Sequence, residues 1–393
     1  MLSQAAEELF LALAATPFIY YLLALFSTWR FFWRAQDRLS PDSGFTPAVS
    51  NLKPLRGLDP EAYENLASYC RQDYPEYELI FCVGDECDPS VPVLEKLKRD
   101  FPERQIRILY GSGRNAINDK VGKLVRMVNE ARHEVLVLND SDVRVEPNYL
   151  RTVVAPLRDS KVGGVTCLYV SAEDKTFTQY LQSIGMMCDF FPGIFVARQL
   201  DGIKFAFGQT IVTTRSRLKA FGGYEAIENR PADDLLVGRF IAQQGYRVEL
   251  LPYAVKTVPD YDSFKGLFVK RLRWLTVMRH MRPWGHLGLT FTQGLPWCVA
   301  ALLMHPSDGI GVAYFGAYLL LRSGLTWLVG VWGLKQRALW RAMPLVLVWD
   351  ATAFVIWLLT FGRRRIRWRS VDYRIRDGML VPEAPNSPTN SPP

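Results

Sequence analysis

Three acidic clusters follow one another along the middle of the 393-residue chain: Asp85 in CVGDECDP, Asp140 and Asp142 in LNDSDVRV, and Asp233 and Asp234 in PADDLLVGRF. Asp140 and Asp142 occupy alternate positions just past an apolar run, so one or both can reach a divalent cation directly or through water. Hard oxygen ligands suit Mg2+ or Mn2+, either of which can bridge the phosphates of a nucleotide. Asp85 can accept hydrogen bonds from a base or ribose, as carboxylates beyond a strand often do; Glu86 and Asp88 are close enough to share that role. Asp234, roughly at a helix start, can take a proton from an attacking hydroxyl or cap the helix. Two adjacent aspartates let one do each. A basic-aromatic run, Lys270-Arg271-Leu272-Arg273-Trp274, comes next. Its guanidinium groups can hold a diphosphate, with Trp274 against an acceptor or the membrane interface, or the run can serve as an interfacial anchor. Any one cluster could be solvated loop carboxylates; the ordered set is the signal.

Such groups need a scaffold. Between about residues 50 and 259, short β-rich runs alternate with helical ones. Strands are expected at 49–52, 78–83, 106–110, 134–138, 164–169 and 247–251, and helices at 61–71, 91–100, 120–131 and 235–244. Alternation of this kind predicts an α/β fold, a mostly parallel sheet covered by helices. Ligands then sit beyond the carboxyl ends of the strands, where Asp85 and Asp140 share one crevice.

The flanks are apolar. Residues 9–29 carry no charge and match the roughly 20 residues needed to span a bilayer. Glu7 and Glu8 precede this run and Arg30, Arg34 and Arg38 follow it, the pattern of an anchor with the next domain in the cytosol. Later, 287–304 is uncharged, 309–334 is interrupted only by Arg322, and 342–361 only by Asp350. If all three cross, the chain ends outside, yet Arg363, Arg364, Arg365, Arg367 and Arg369 should stay inside. Either 342–361 folds back near Asp350, or one apolar stretch lies flat on the surface. Arg322 and Asp350 could pair within the membrane, but Arg322 near a segment end is expected to snorkel.

The resulting division is a membrane anchor at 1–38, a cytosolic catalytic domain at 45–260, an interfacial segment at 261–286, a membrane region at 287–361, and a basic segment with a proline-rich, disordered tail at 362–393. The net charge of +8 suits an anionic membrane surface and a diphosphate ligand. No nucleic-acid motif accompanies it, so nucleic acid is not an expected partner. Six cysteines without CxxC spacing and four histidines indicate neither a zinc site nor a disulfide framework.

The motifs LKPLRG at 52–57, QDYPEYE at 72–78, CVGDECDP at 82–89, NDSDVRVEP at 139–147, ADDLLVGRFIAQQGYR at 232–247 and KRLRW at 270–274 resemble the ceramide glucosyltransferase family of GT-A (Rossmann-like) glycosyltransferases. The resemblance implies an inverting, UDP-sugar-dependent transfer to a lipid acceptor at the bilayer, without a covalent enzyme intermediate. It implies Lys53, Asp85, Asn118, Lys120 and Asp140 as donor-binding residues, Asp140 and Asp142 at the divalent cation, and Asp234 as catalytic base. Lys270, Arg273 and Trp274 would form the Q/RxxRW element. Three positions depart from the family pattern. Asp233 replaces the glutamate before the base, Lys270 keeps charge but loses the bidentate fork, and Asp142 completes a DxD where the ceramide enzymes tend to have DSG. Stretches such as YENLASYCRQDYP are similar to a bacterial branch that transfers N-acetylglucosamine to bacteriohopanetetrol. UDP-glucose to ceramide is the leading expectation, and the hopanoid reaction or a processive polysaccharide synthase is the alternative. A transporter or scaffold that only binds nucleotides fits the carboxylates less well.

Overall fold

The computed structural model describes residues 4–34, 44–114, 116–259, 263–307, 309–363, 365–368, 371–376 and 379–382. Eight strands form one mixed sheet: β1 (Val49–Pro54), β2 (Tyr77–Val83), β3 (Gln105–Tyr110), β4 (Val135–Leu138), β5 (Val143–Arg144), β6 (Val162–Ser171), β7 (Ile211–Thr214) and β8 (Arg247–Thr257). Their order is β3-β2-β1-β4-β7-β6-β8-β5. The first four are mutually parallel, β7 runs against both of its neighbours, β6 and β8 are parallel, and β5 runs against β8. Strands β1, β2 and β4 are buried along their whole length, the continuous burial expected of strands covered on both faces. All six expected strands are present; β5 and β7 are additional. The four expected helices are Ala62–Cys70, Val91–Asp100, Asp119–Glu130 and Asp233–Gln243.

Among the described residues four helical segments are long and apolar enough to cross a membrane: Gln4–Trp33, Phe177–Asp201, Pro283–Met304 and Ile310–Gly333. Phe177–Asp201 was not foreseen. Its glutamines, serine and aspartate break the hydropathy, and much of it is buried against protein. It contains a π turn at Met186–Phe190. Gln4–Trp33 and Ile310–Gly333 run side by side in the same direction. Tyr314 donates a hydrogen bond to the Leu11 carbonyl, the Arg322 guanidinium lies over Tyr21, and Trp332 packs on Phe32.

The snorkelling expected of Arg322 is corrected by the structure. Its Nε and Nη2 donate to Asp350 at 2.9 and 2.6 Å, Nη1 donates to the carbonyl of Cys188 in the π turn, and Tyr318 donates to Asp350 at 2.8 Å. Both ionic side chains are over nine-tenths buried. Asp350 belongs to Leu345–Phe361, which has 17 residues. At about 1.5 Å per residue that helix is shorter than a hydrocarbon core of roughly 30 Å.

The basic segment beyond it is not a plain coil. Strands β9 (Arg365–Trp368), β10 (Val371–Arg376) and β11 (Met379–Pro382) form an antiparallel sheet. Ile366, Ile375 and Leu380 pack with Ile117 and Val277. The Leu380 amide donates to the Asn229 carbonyl at 2.8 Å. The chain thus returns to the α/β domain after its last apolar helix. The disordered tail is expected from Pro382; that residue instead ends β11, and the rest of the tail lies outside the described residues.

Candidate active site

The carboxyl ends of β1, β2 and β4 deliver the first set of groups. Lys53, at the end of β1, is fully buried. Its Nζ lies 3.7 Å from the Tyr69 ring centroid and donates to the Asp140 carbonyl at 2.9 Å. Burial depresses its pKa to about 7, against the pull of Asp142 and Asp140. Lys53 therefore supports the DxD loop from beneath. Asp85, past β2, is exposed and accepts the Cys87 amide at 2.8 Å. Its neighbour Asp88 is committed to structure, accepting the amides of Gly57 and Ser90 and the Ser90 hydroxyl. That leaves Asp85 and Glu86 as the open carboxylates of the cluster.

Asn118 and Lys120 bracket the start of Asp119–Glu130. Asn118 is buried and caps the helix, accepting the Val121 amide at 3.4 Å, while its own amide donates to Glu228. Lys120 projects into the crevice, where its Nζ lies 2.9 Å from Asp140 Oδ1 and 3.1 Å from Asp233 Oδ2. Burial alone would lower the lysine pKa, but Asp140, Asp233 and Asp234 together raise it well above its ordinary value. Burial likewise acts to raise the Asp140 carboxyl, and Lys120, Lys53 and Lys270 outweigh it and hold the group ionised.

Asp234 enters from the other side. Ala232 adopts a left-handed conformation (φ 57°), uncommon for a residue with a side chain. This turns the chain into Asp233–Gln243 with both aspartates in its first turn. Asp233 is buried against Lys120, while Asp234 is half-buried. Asp234 Oδ2 accepts the Gly208 amide at 3.1 Å and Oδ1 accepts the Leu235 amide at 2.8 Å. Burial, then repulsion from Asp233, pushes the carboxyl up to about 6. A base with that pKa is mostly unprotonated at neutral pH yet binds a proton readily.

Gly208 joins the two sides, and the sequence reading missed it. Its amide holds Asp234, its carbonyl accepts the Asp140 amide at 3.1 Å, and a Cβ here would lie 2.7 Å from Asp140 Oδ2. The glycine in FAFGQT, between apolar runs, was the available signal. Lys270 and Trp274, one helical turn apart on Phe264–Met281, line a cavity of about 70 Å³ with Asp142, Gln179, Gln182 and Gln209. Arg273 is half-buried on the same helix but is not part of the cavity wall. Arg271 instead donates to Gln182 at 3.0 Å and sits between Trp274 and Trp349. The structure thus gathers Lys120, Asp140, Asp233 and Asp234 directly, adds Asp142, Lys270 and Trp274 at the cavity, and leaves Asp85 at the rim.

Residues 9–381 match the profile described as "Glycosyl transferase family 21". The chain belongs to this glycosyltransferase family. Ceramide glucosyltransferase 1 of Caenorhabditis elegans is 23% identical over 96% of this chain and 82% of its own length. A ceramide glucosyltransferase of Komagataella phaffii is 32% identical, over 39% of this chain and 32% of its own. Among solved structures, the mannosyltransferase PcManGT of Pyrobaculum calidifontis, in complex with GDP-Man and Mn2+, superimposes with a TM-score of 0.53. It has 19% identity and covers 87% of this chain and 99% of that one, a likeness of fold. The family 21 chain has the GT-A fold, with apolar helices toward both ends.

In this family 21 member the partly exposed Asp140 carboxylate is a hard oxygen donor of the kind that binds a divalent cation, although Lys120 already pairs with one of its oxygens. Gly208 lets the Asp140 carboxylate lie against the backbone, where a side chain would collide with it. Among the described residues no group of three or more His, Cys, Asp or Glu is placed to hold a metal ion by itself. An ion here would draw its remaining ligands from phosphate and water, the usual habit of Mg2+.

Proposed function

We propose that this glycosyltransferase moves a sugar from a UDP-sugar to the primary hydroxyl of a membrane lipid, with inversion, by direct displacement. UDP-glucose and ceramide are the leading donor and acceptor, in line with the names of the relatives. The observation that carries the reading is the Asp234 carboxylate, fixed by two backbone amides beside the Lys120–Asp140 pair with its pKa raised to about 6.

Asp140 and Asp142 would hold Mg2+ or Mn2+, which when bound neutralises the diphosphate of the donor. Asp234 takes the proton of the acceptor hydroxyl as that oxygen bonds to the anomeric carbon. The bond from that carbon to the diphosphate oxygen breaks on the opposite face, and UDP departs with the electron pair. Lys270 provides positive charge on the departing side. Lys120 offsets Asp140 and Asp233, so that Asp234 can still ionise in a crevice crowded with carboxylates. Asp85 at the rim is assigned to the nucleoside.

The lipid enters between the cavity and the apolar helices. This is supported by Gln179 and Gln182, which line the cavity from the same helix that continues into the membrane region. The catalytic domain is assigned to the cytosol. Gln4–Trp33 and Ile310–Gly333 are parallel, and Arg30, Arg34, Lys335, Arg337 and Arg341 cluster after their shared end. Leu345–Phe361 is then the segment that does not cross, lying along the protein as one continuous helix rather than folding back near Asp350, so that the arginines after it stay on the cytosolic side.

The test is turnover of purified protein with radiolabelled UDP-glucose and UDP-N-acetylglucosamine against ceramide, diacylglycerol and bacteriohopanetetrol. Transfer of one sugar to one lipid, abolished by Asp234→Asn, is the expected result. Addition of many sugars to one acceptor would favour a polysaccharide synthase. UDP binding without transfer to any lipid would overturn the acceptor assignment.

A further inference from the structure

A second, larger cavity of about 750 Å³ lies at the other end of the catalytic domain. Its wall includes the first residues of β6 and β8, Val162 and Arg247, whereas the last residues of these strands, Ser171 and Thr257, line the small cavity. Ten or eleven residues at about 3.3 Å each put the two cavities roughly 30 Å apart. It is therefore not an extension of the donor crevice.

The wall is unevenly charged. Five cations line it, Arg30, Arg34, Arg198, Lys204 and Arg247, against the three carboxylates Asp159, Asp201 and Glu249. Arg247 pairs with Asp159 and Lys204 with Asp201, both at 2.5 Å, and Arg198 lies 3.9 Å from Glu249 and over the Phe31 ring. Arg30 and Arg34 have no ion pair among the described residues, and they carry the surplus. They stand one turn apart at the end of the first apolar segment. Phe26, Trp29 and Trp33 at neighbouring positions of that helix are 48, 44 and 60% exposed, and Leu200 by the cavity is 70% exposed. Two open guanidiniums next to an uncovered aromatic stripe, at the level where a membrane helix leaves the hydrocarbon, fit a molecule with an anionic head and an apolar tail.

We infer that this cavity is a binding site for the phosphate headgroup of an anionic phospholipid, held by Arg30 and Arg34 with its acyl chains along Phe26, Trp29 and Trp33. The site is separate from donor and acceptor and does not depend on their identity. Guanidinium pairs make bidentate contacts to phosphate oxygens that a choline headgroup, with its own cation, offsets.

The test is native mass spectrometry of the purified full chain with equimolar dioleoyl phosphatidylglycerol and dioleoyl phosphatidylcholine. The expected result is preferential retention of phosphatidylglycerol, reduced about tenfold or more in Arg30→Gln/Arg34→Gln, since each basic residue near an anionic headgroup contributes about fivefold. The control pair Arg337→Gln/Arg341→Gln, at the same end of the apolar helices but outside the cavity wall, should keep the preference, and Arg30→Lys/Arg34→Lys should restore part of it. An unchanged preference in the Gln pair, or an equal loss in the control, would overturn the site. Displacement of the lipid by inorganic phosphate would also overturn it, by showing a pocket for a soluble anion.

Discussion

Two Asp-cation clusters in this molecule use the same chemical groups to opposite ends. In the candidate active site, Lys120 faces Asp140 and Asp233, with Asp234 beside them, and Asp140 and Lys120 keep 31 and 28% of their side-chain surface. Carboxylates outnumber the lysine, and solvent or substrate can reach them. Among the apolar helices, Arg322 and Asp350 keep 5 and 7%, form a two-point contact, and fill their remaining valences with Tyr318 and the Cys188 carbonyl. That cluster is closed and neutral. The excess of negative charge distinguishes the candidate active site, and complete pairing the cluster among the apolar helices.

Removing a charge from each should therefore have different consequences. Asp234→Asn should lower kcat by about 10²–10⁴-fold, the range for loss of a general base, with the melting temperature unchanged. A variant that melts normally but turns over at a tenth of the wild-type rate would demote Asp234 to a capping residue. Arg322→Leu strands Asp350 in an apolar setting and should cost about 3–5 kcal/mol of stability, read as loss of folded protein in detergent. Arg322→Met/Asp350→Leu should recover most of that loss, with normal activity per folded molecule, if the pair is purely structural.

Smaller effects sharpen the contrast. Gly208→Ala places a methyl 2.7 Å from Asp140 Oδ2 and should reduce activity about tenfold by displacing the loop, with little effect on melting. Because the Asp234 pKa is raised to about 6 and the base must be unprotonated, kcat/KM should fall about tenfold per pH unit below that value. Lys120 holds that pKa down, so Lys120→Gln should move the acidic limb of the profile upward. A limb that does not move would mean that Lys120 neutralises only Asp140 and Asp233.

Much of the scaffold was legible because its strands are buried along their length and its helices carry strong amphipathic periodicity. The acidic clusters were legible because carboxylates at the ends of apolar runs are unusual. What escaped was set by distance in space. Gly208 matters through two backbone contacts to residues 68 and 26 positions away, which no local pattern records. Lys53 and Asn118 look like ligands in sequence, yet the fold uses one as a prop under Asp140 and the other as a helix cap. Phe177–Asp201 escaped because its polar residues serve protein neighbours on one side, and its apolar ones resemble an ordinary core helix. Strands β9–β11 alternate arginine with isolated apolar residues, so their partners Ile117 and Val277 could not be guessed from the segment itself.

The π turn at Met186–Phe190 carries one more implication. A π turn accommodates one residue more than a regular helical turn, so it sets the angular phase between the two halves of Phe177–Asp201. Upstream of it, Gln179 and Gln182 face the cavity; downstream, Phe195 stacks on Phe31 of the first apolar helix. Excising one residue from the turn would leave a continuous helix of nearly the same length and composition. Because the turn absorbs that residue, the glutamines and Phe195 would keep nearly their present phase, whereas excising one residue from a regular turn of the same helix would rotate the glutamines by about 100° and turn them out of the cavity.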